Sequence, residues 1–386
     1  MKSNVGYSIL ADSYENGVEV AKKAMEGINQ PKVALLYTSV LLDQTKVIEG
    51  VKSVLGNVPV LGCTSSGGIM VPEGIISSET GFSGILLLED EELTVAVGAS
   101  SAGDNARAVG QQIALQAIET AGTLKRPSYF YMVASPKEEE SYAKGIQDVI
   151  GRVPMFGGSA ADDAVAGDWK IFCNDQVFRD GCAVLFFYTK KRAVTEYTGA
   201  YQETEHCGII TKVNGRMLVE IDHEPALQKY ASMIGEDPNN LMGMNLLSRS
   251  ITNPLGIKDP IGSVTLIRHP MVGNEDFTMN LGNDLVVGTA VTVMQATVDE
   301  LIASTKEAMH TVKEEMNQEI GAYLLIHCGG RKLGIGNRME EVHKNLVAEA
   351  NGVPFIAVFT FGEYGYHEHS ANSCGGLMLS FTGFAK

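Results

Sequence analysis

Along this chain the apolar residues gather into short solid blocks, separated by longer stretches in which they recur every three or four positions. "KVALLYTS", "SYFYMVAS" and "GAYLLIHC" are blocks of the first kind. They are too short for helices and rich in β-branched and aromatic residues, so they predict strands buried on both faces. "ENGVEVAKKAMEGI", "DNARAVGQQIALQAIETAG" and "VDELIASTKEAMHTVKEEM" are of the second kind and predict amphipathic helices.

The pattern recurs. "GNVPVLGCTSSGG" from Gly56, "GRVPMFGGSAADD" from Gly151 and "NGVPFIAVFTFGEYG" from Asn351 each follow a helical stretch. Proline ends the approach and sets an extended residue ahead of the strand. A unit ordered strand, helix, strand, helix, Val-Pro strand, loop, strand is read near 5–89, 93–188 and 289–383, its third copy opening on "TAVTVMQAT". The predicted fold is α/β: repeated β-α-β-α-β units in two similar halves, with mainly parallel mixed sheets flanked by helices. The last strand of each unit returns after a loop, which leaves an antiparallel course open. Residues 1–192 form one predicted domain with two repeats. Residues 193–386 form the other, a hairpin-rich insert followed by the third repeat. Asn214-Gly215 marks a hairpin in that insert, "HEPALQKYASMIGEDP" a short helix, and "GSVTLIRHPMV" and "EDFTMNLGN" further strands.

The 386 residues are 45% hydrophobic and 20% charged, with a net charge of −16. That field disfavours nucleic acid and anionic membrane surfaces as partners. No apolar run reaches the roughly 18 residues of a spanning helix, and "MKSNVGYSILADSYENG" does not read as a signal peptide. The six cysteines, at 63, 173, 182, 207, 328 and 374, form no C-x-x-C pair. The expectation is a reduced, cytoplasmic protein.

Candidate chemistry sits on the loops after the blocks. "GCTSSGG" lacks the G-x-S-x-G of a nucleophile elbow. Its thiol is replaced by Gly158 in the second copy, and the third has neither thiol nor serine there. Gly62, Thr64, Ser65 and, in the second copy, Ser159 are therefore read as a loop that holds a ligand, with backbone N–H groups facing a cleft. "HCGGRKLGIGN" fails as a P-loop at Ile335 and as a dinucleotide fingerprint at Met339. What remains is Arg331 beside a helix N-terminus, suited to a carboxylate. Glu363 in a glycine-flanked loop suits an ammonium. His327, His367 and His369 have chelating spacing, but no metal is expected. Asp162 and Asp163 read as turn caps or ligand polarity. Asn174 and Asn372 stand at equivalent places in two units, as a repeated turn and as ligand contacts.

"VNGRMLVEIDHEPALQKYASMIG", "NPLGIKD", "TLIRHPM", "HCGGR" and "FTFGEYG" resemble the C-terminal half of the FIST family. "VPVLGCTSSGG", "VPMFGGSAADD" and "FCNDQV" resemble its N-terminal half. The resemblance covers nearly the whole chain in the same motif order. It implies a sensory, small-ligand-binding module of signal transduction, with amino acids or related small carboxylates as ligands. The family's Cys-x-x-Arg falls on Cys328 and Arg331, and its Gly-Glu on Gly362 and Glu363. Its terminal His-Asn step is altered here, His369 being separated from Asn372. A separate output protein is implied as partner, a homo-oligomer is compatible, and no enzymatic activity is expected. Two alternatives stand beside this reading. One is a haem-based nitric oxide sensor with non-covalent haem on His206, His223 or His269. The other is a thiol- or Ser-dependent hydrolase using Cys63 or Cys328.

Overall fold

The structure, a computed structural model, describes residues 1–258, 265–368 and 371–386. Gly262–Val264, the start of one strand expected from the sequence, and His369 lie outside the described residues. The first unit runs β1 (Lys2–Ser8), α1 (Ser13–Ala24), β2 (Val33–Thr38), α2 (Gln44–Leu55), β3 (Val60–Thr64), the hairpin β4 (Ile69–Val71) and β5 (Gly74–Ile76), then β6 (Ser83–Glu89). The second has the same order: β7 (Thr94–Ser101), α3 (Ala106–Ala121), β8 (Tyr129–Ala134), α4 (Glu139–Ile150), β9 (Met155–Ser159), the hairpin β10 (Ile171–Cys173) and β11 (Gln176–Phe178), then β12 (Gly181–Tyr188). After β13 (Ala193–Thr198) comes the insert. It holds β14 (Gln202–Asn214), β15 (Met217–Ile221), β16 (Glu224–Pro225), α5 (Ala226–Ile234), α6 (Asn245–Ser250), β17 (Leu255–Lys258), β18 (Thr265–Arg268), β19 (Pro270–Gly273), β20 (Met279–Leu281) and β21 (Ala290–Gln295). The chain ends with α7 (Val298–Met316), β22 (Ile320–Cys328), α8 (Gly329–Ile335), α9 (Met339–Ala350), β23 (Phe355–Thr360), the hairpin β24 (Glu363–Gly365) and β25 (Ser373–Gly375), and β26 (Leu379–Ala385).

Short polar side chains start the helices. Asp12, Asp43, Asn105 and Thr297 each accept first-turn N–H groups, Thr297 in a reciprocal box with Glu300. The strand blocks are solid because both faces are covered. Val33, Leu35 and Tyr37 turn into a central core shared with Tyr129, Tyr131, Leu324 and Ile326. Ala34 and Leu36, between them, turn outward into a cluster with Val20 of α1 and Val47 of α2.

Three six-stranded sheets share one plan: β1-β6-β2-β3-β10-β11, β7-β12-β8-β9-β24-β25 and β13-β26-β22-β23-β4-β5. The last two strands of each are a hairpin lent by another unit, in a closed cycle. In each sheet one pairing is parallel, β2–β3, β8–β9 or β22–β23. The mainly parallel sheets expected from the sequence are therefore corrected to mainly antiparallel ones. β6, β12 and β26 return between the first two strands of their sheets, antiparallel to both. The borrowed hairpins add further antiparallel pairs.

The two similar halves are corrected as well. The insert forms an eight-stranded sheet, β18-β17-β21-β14-β15-β20-β19 with β16 on β15, and the first half has no such sheet among the described residues. β21, the expected opening strand of the third unit, pairs with β14 and β17 instead. The edge place in the third sheet goes to β13, on β26. The insert thus interrupts the third unit between its edge strand and its first helix.

The ends of the three Val-Pro strands close on one another. Ser66 N–H donates to the Phe359 carbonyl at 3.0 Å, Ala161 N–H to Thr64 at 3.0 Å, and Phe361 N–H to Ser159 at 3.2 Å. The six residues hold equivalent places in the three copies, so the bonds form a cyclic ring. Just before it, Gly62 lies against β2: a Cβ there would stand 1.7 Å from the Leu36 carbonyl oxygen. Gly62→Ala is expected to cost about 3 kcal/mol or more, as overpacking against backbone has no side chain to move aside; chemical denaturation of the two proteins measures it.

Candidate functional site

The residues singled out in the sequence are nearly all enclosed. Thr64, Ser65, Ser159, Arg331 and Glu363 are fully buried. Thr64 Oγ1 accepts the Lys170 N–H at 2.9 Å. Ser65 Oγ donates to Gly68 O at 2.7 Å and accepts the Phe359 N–H at 2.9 Å. Ser159 Oγ shares a 2.7 Å bond with Tyr364 Oη, and its N–H meets Gly362 O at 2.8 Å. The glycine-rich loop holds the protein's own neighbouring strands. Asp162 caps a turn, accepting N–H bonds from Ala164, Ala166, Gly167 and Asp168. Asp163 accepts the Gly67 N–H at 2.6 Å.

Cys328, Arg331 and Glu363 come together in the core. Cys328 caps α8, its Sγ accepting the Gly330 N–H at 3.3 Å. The Arg331 guanidinium donates to the carbonyls of Gly199 (2.7 Å), Leu301 (2.9 Å) and Leu377 (3.4 Å) and to Ser304 Oγ (2.5 Å), while its Nε has no partner among the described residues. It ties α8 to α7 and to the segments flanking β13 and β26. Glu363 accepts from Thr360 Oγ1 at 3.0 Å and from the Met378 N–H at 2.9 Å. Burial pushes its carboxyl up to about 8. Burial, and then the Glu363 charge, push the Cys328 thiol far up, and burial does the same to Cys63.

Asn174 and Asn372 do matching work. Asn174 Oδ1 accepts the Val60 N–H at 3.2 Å, at the head of β3. Asn372 Nδ2 donates to the Val153 carbonyl at 2.8 Å, ahead of β9. Each pins a borrowed hairpin to its host sheet. Asn372 differs in one respect: its Oδ1 has no partner among the described residues, and the residue lines a cleft.

That cleft, about 230 Å³, lies between α4 and the insert and is lined by Glu140, Lys144, Arg268, Asp284 and Asn372 beside apolar residues. Arg268 is 6% exposed. Its Nη1 donates to Cys374 O at 3.0 Å, its Nη2 lies 3.6 Å from Glu140 Oε1, and its Nε has no partner among the described residues. Behind it, Arg216 on the β14–β15 turn binds Glu140 Oε2 at 2.9 Å, Glu139 Oε1 at 3.2 Å and Asp284 Oδ1 at 2.9 Å. Burial, and then the Glu139 carboxylate, push Glu140 up to about 7. Arg268, Glu140, Lys144 and Asp284 were missed in the sequence. Their signals are faint: "KEEE" opening a helix and "IRHP" joining two strands.

His327 Nδ1 bonds the Cys328 carbonyl at 2.9 Å, and His367 Nε2 the Tyr197 carbonyl at 3.0 Å. Among the described residues no group of three or more His, Cys, Asp or Glu is placed to hold a metal ion. His206 and His223 are exposed. His269 is buried, its Nε2 3.2 Å from the Leu247 carbonyl, and burial pushes it down to about 4.

The sequence model of the FIST N domain matches residues 32–224, and that of the FIST C domain residues 226–366. The chain belongs to the FIST family. FIST domains are associated with sensory signal transduction and small-ligand binding. The cleft is lined from both matched segments and from the residues after them. An uncharacterized protein of Methanocaldococcus jannaschii is 24% identical over 358 residues, covering 86% of this chain and 67% of that protein. Among solved structures, a cyanuric acid hydrolase from A. caulinodans covers 100% of this chain and 99% of its own at 9% identity and a TM-score of 0.36. Phosphoribosylformylglycinamidine synthase II from Thermotoga maritima covers 99% and 72%, at 10% identity and a TM-score of 0.20. Among the described residues no helix is long and apolar enough to cross a membrane.

Two measurements check the enclosed cluster. Arg331→Lys cannot serve the same carbonyls and hydroxyl, so the unliganded protein is expected to lose about 3 kcal/mol, since each stranded buried group costs about 1–3 kcal/mol. Denaturant melts without ligand read this. Glu363 titrates near 8 folded and near its ordinary 4.5 unfolded. Between those values the folded state holds the extra proton. Its contribution is full below the lower value and is lost as pH rises through 8. From this group the melting temperature is expected to fall from about pH 5 to pH 8 and to level off above it, and Glu363→Gln to flatten that fall.

Proposed function

We propose that this chain is a sensory binding protein whose ligand is an amino acid or a related small carboxylate, held in the cleft between α4 and the insert. The observation that carries the reading is Arg268, nearly buried on the cleft wall, with a loose partner in Glu140 at 3.6 Å. A guanidinium offers a planar fork that fits a carboxylate. Glu140 and Asp284 offer acceptors to an ammonium. Among the described residues two acidic and two basic side chains line the cleft, which favours a zwitterion over a ligand of net charge.

The site has a route outward. Asn372 and Cys374 belong to the segment that carries β25, which pairs with β24 and so with Glu363. A ligand that draws Arg268 away from Cys374 O changes the load on that hairpin, and a separate output protein reads the change. The reading is of binding rather than turnover: Cys63 and Cys328 are buried, with thiols held protonated. The cysteines are free, which supports a reducing, cytoplasmic setting.

A thermal-shift series with amino acids tests the proposal. A ligand at about 100 times its Kd adds roughly 2.7 kcal/mol of stability. Arg268→Gln is expected to weaken binding by about 30-fold or more, as for loss of one partner of a desolvated charge pair. Glu140→Gln is expected to weaken amino acids more than their deaminated analogues. Equal shifts in parent and both variants exclude the cleft.

A further inference from the structure

The cleft has a second wall that its charges do not explain. Ile257 and Leu266 stand opposite each other on β17 and β18, and directly opposed residues of an antiparallel pair share a face. Their neighbours on the other face, Gly256 and Ile267, are also paired, and Ile267 is packed into the core. Ile257 and Leu266 are half-buried and line the cleft with Ile210, Leu285 and Val286. Val286 is 68% exposed. An apolar wall facing two acidic and two basic side chains matches a molecule with a charged head and an apolar tail. The volume, about 230 Å³, lies below the roughly 300–1,000 Å³ of sites that hold drug-sized ligands, so a single residue fits better than a peptide.

We infer that the ligand is an amino acid with an apolar side chain, its head between Arg268 and Glu140 and its tail on Ile257 and Leu266. The inference rests on the binding reading given above and specifies its ligand class. Polar amino acids lose the contact with this wall and leave their own side-chain groups unsolvated against it. Glycine reaches the head site and leaves the wall bare.

Isothermal titration of the full chain with leucine, methionine, glycine and aspartate tests this, with Leu266→Thr and Arg268→Gln as variants. Leucine or methionine is expected to bind about ten-fold or more tighter than glycine or aspartate, the discrimination a hydrophobic subsite supplies. Leu266→Thr is expected to remove most of that preference while leaving glycine unchanged. If glycine or aspartate matches leucine and binding is still lost in Arg268→Gln, the apolar specificity is overturned and the head-group site stands. If none of the four binds the folded parent, or if leucine binding survives Arg268→Gln, both are overturned.

Discussion

Three backbone hydrogen bonds, from Ser66 to Phe359, Ala161 to Thr64 and Phe361 to Ser159, hold the ends of the three sheets in a ring. Around it each sheet is completed by a hairpin from another unit. The two devices enforce each other. A hairpin reaches its host sheet only if the strand before it ends at the ring, and the ring closes only if all three sheets are in place. No unit has a complete sheet alone, so the central core of Tyr37, Tyr131 and Ile326 is expected to form in one cooperative step.

This closure explains why the conspicuous loops are occupied. In an open α/β sheet the carboxyl ends of the strands face a crevice and bind ligands. Here those ends face one another. Their hydroxyls and N–H groups are spent on neighbouring strands, and Arg331 and Glu363 are spent on the attachment of α8 and β24. Among the described residues unpartnered polar atoms occur in this core too, at Arg331 Nε and His327 Nε2, but those on residues that line the cleft lie where the ring's symmetry is broken, at the contact of α4 with the insert. There Arg216 and Arg268 face Glu139 and Glu140, and Arg268 Nε and Asn372 Oδ1 have no hydrogen-bond partner among the described residues. Buried charges are tolerated when paired, and a loosely paired one is poised for exchange.

The sequence made the elements legible and their partners much less so. Block length and period located strands and helices, and the Val-Pro steps located β3, β9 and β23, because both signals are local. Hairpin exchange left no trace, since β4–β5 and β10–β11 read the same whichever sheet they join. β13 starts at the expected domain boundary and gives no strand signal, because most of its residues are only half buried. β21 reads as a unit's first strand because its apolar content is the same in either sheet. Cys328, Arg331 and Glu363 were found as a group, yet a buried strut and a ligand-binding pair look alike in sequence. Glu140 and Arg268 were not found because their proximity depends on the fold of the whole insert.

The central claim is that small ligands enter at the break in the ring's symmetry and not at the ring. Hydrogen exchange of the full chain with and without leucine tests it most directly. The expected result is added protection in peptides spanning 139–147, 265–268 and 284–289, and 372–375, with 64–68 and 329–335 unchanged. Protection confined to 64–68 and 329–335 would contradict the account and return the site to the strand ends.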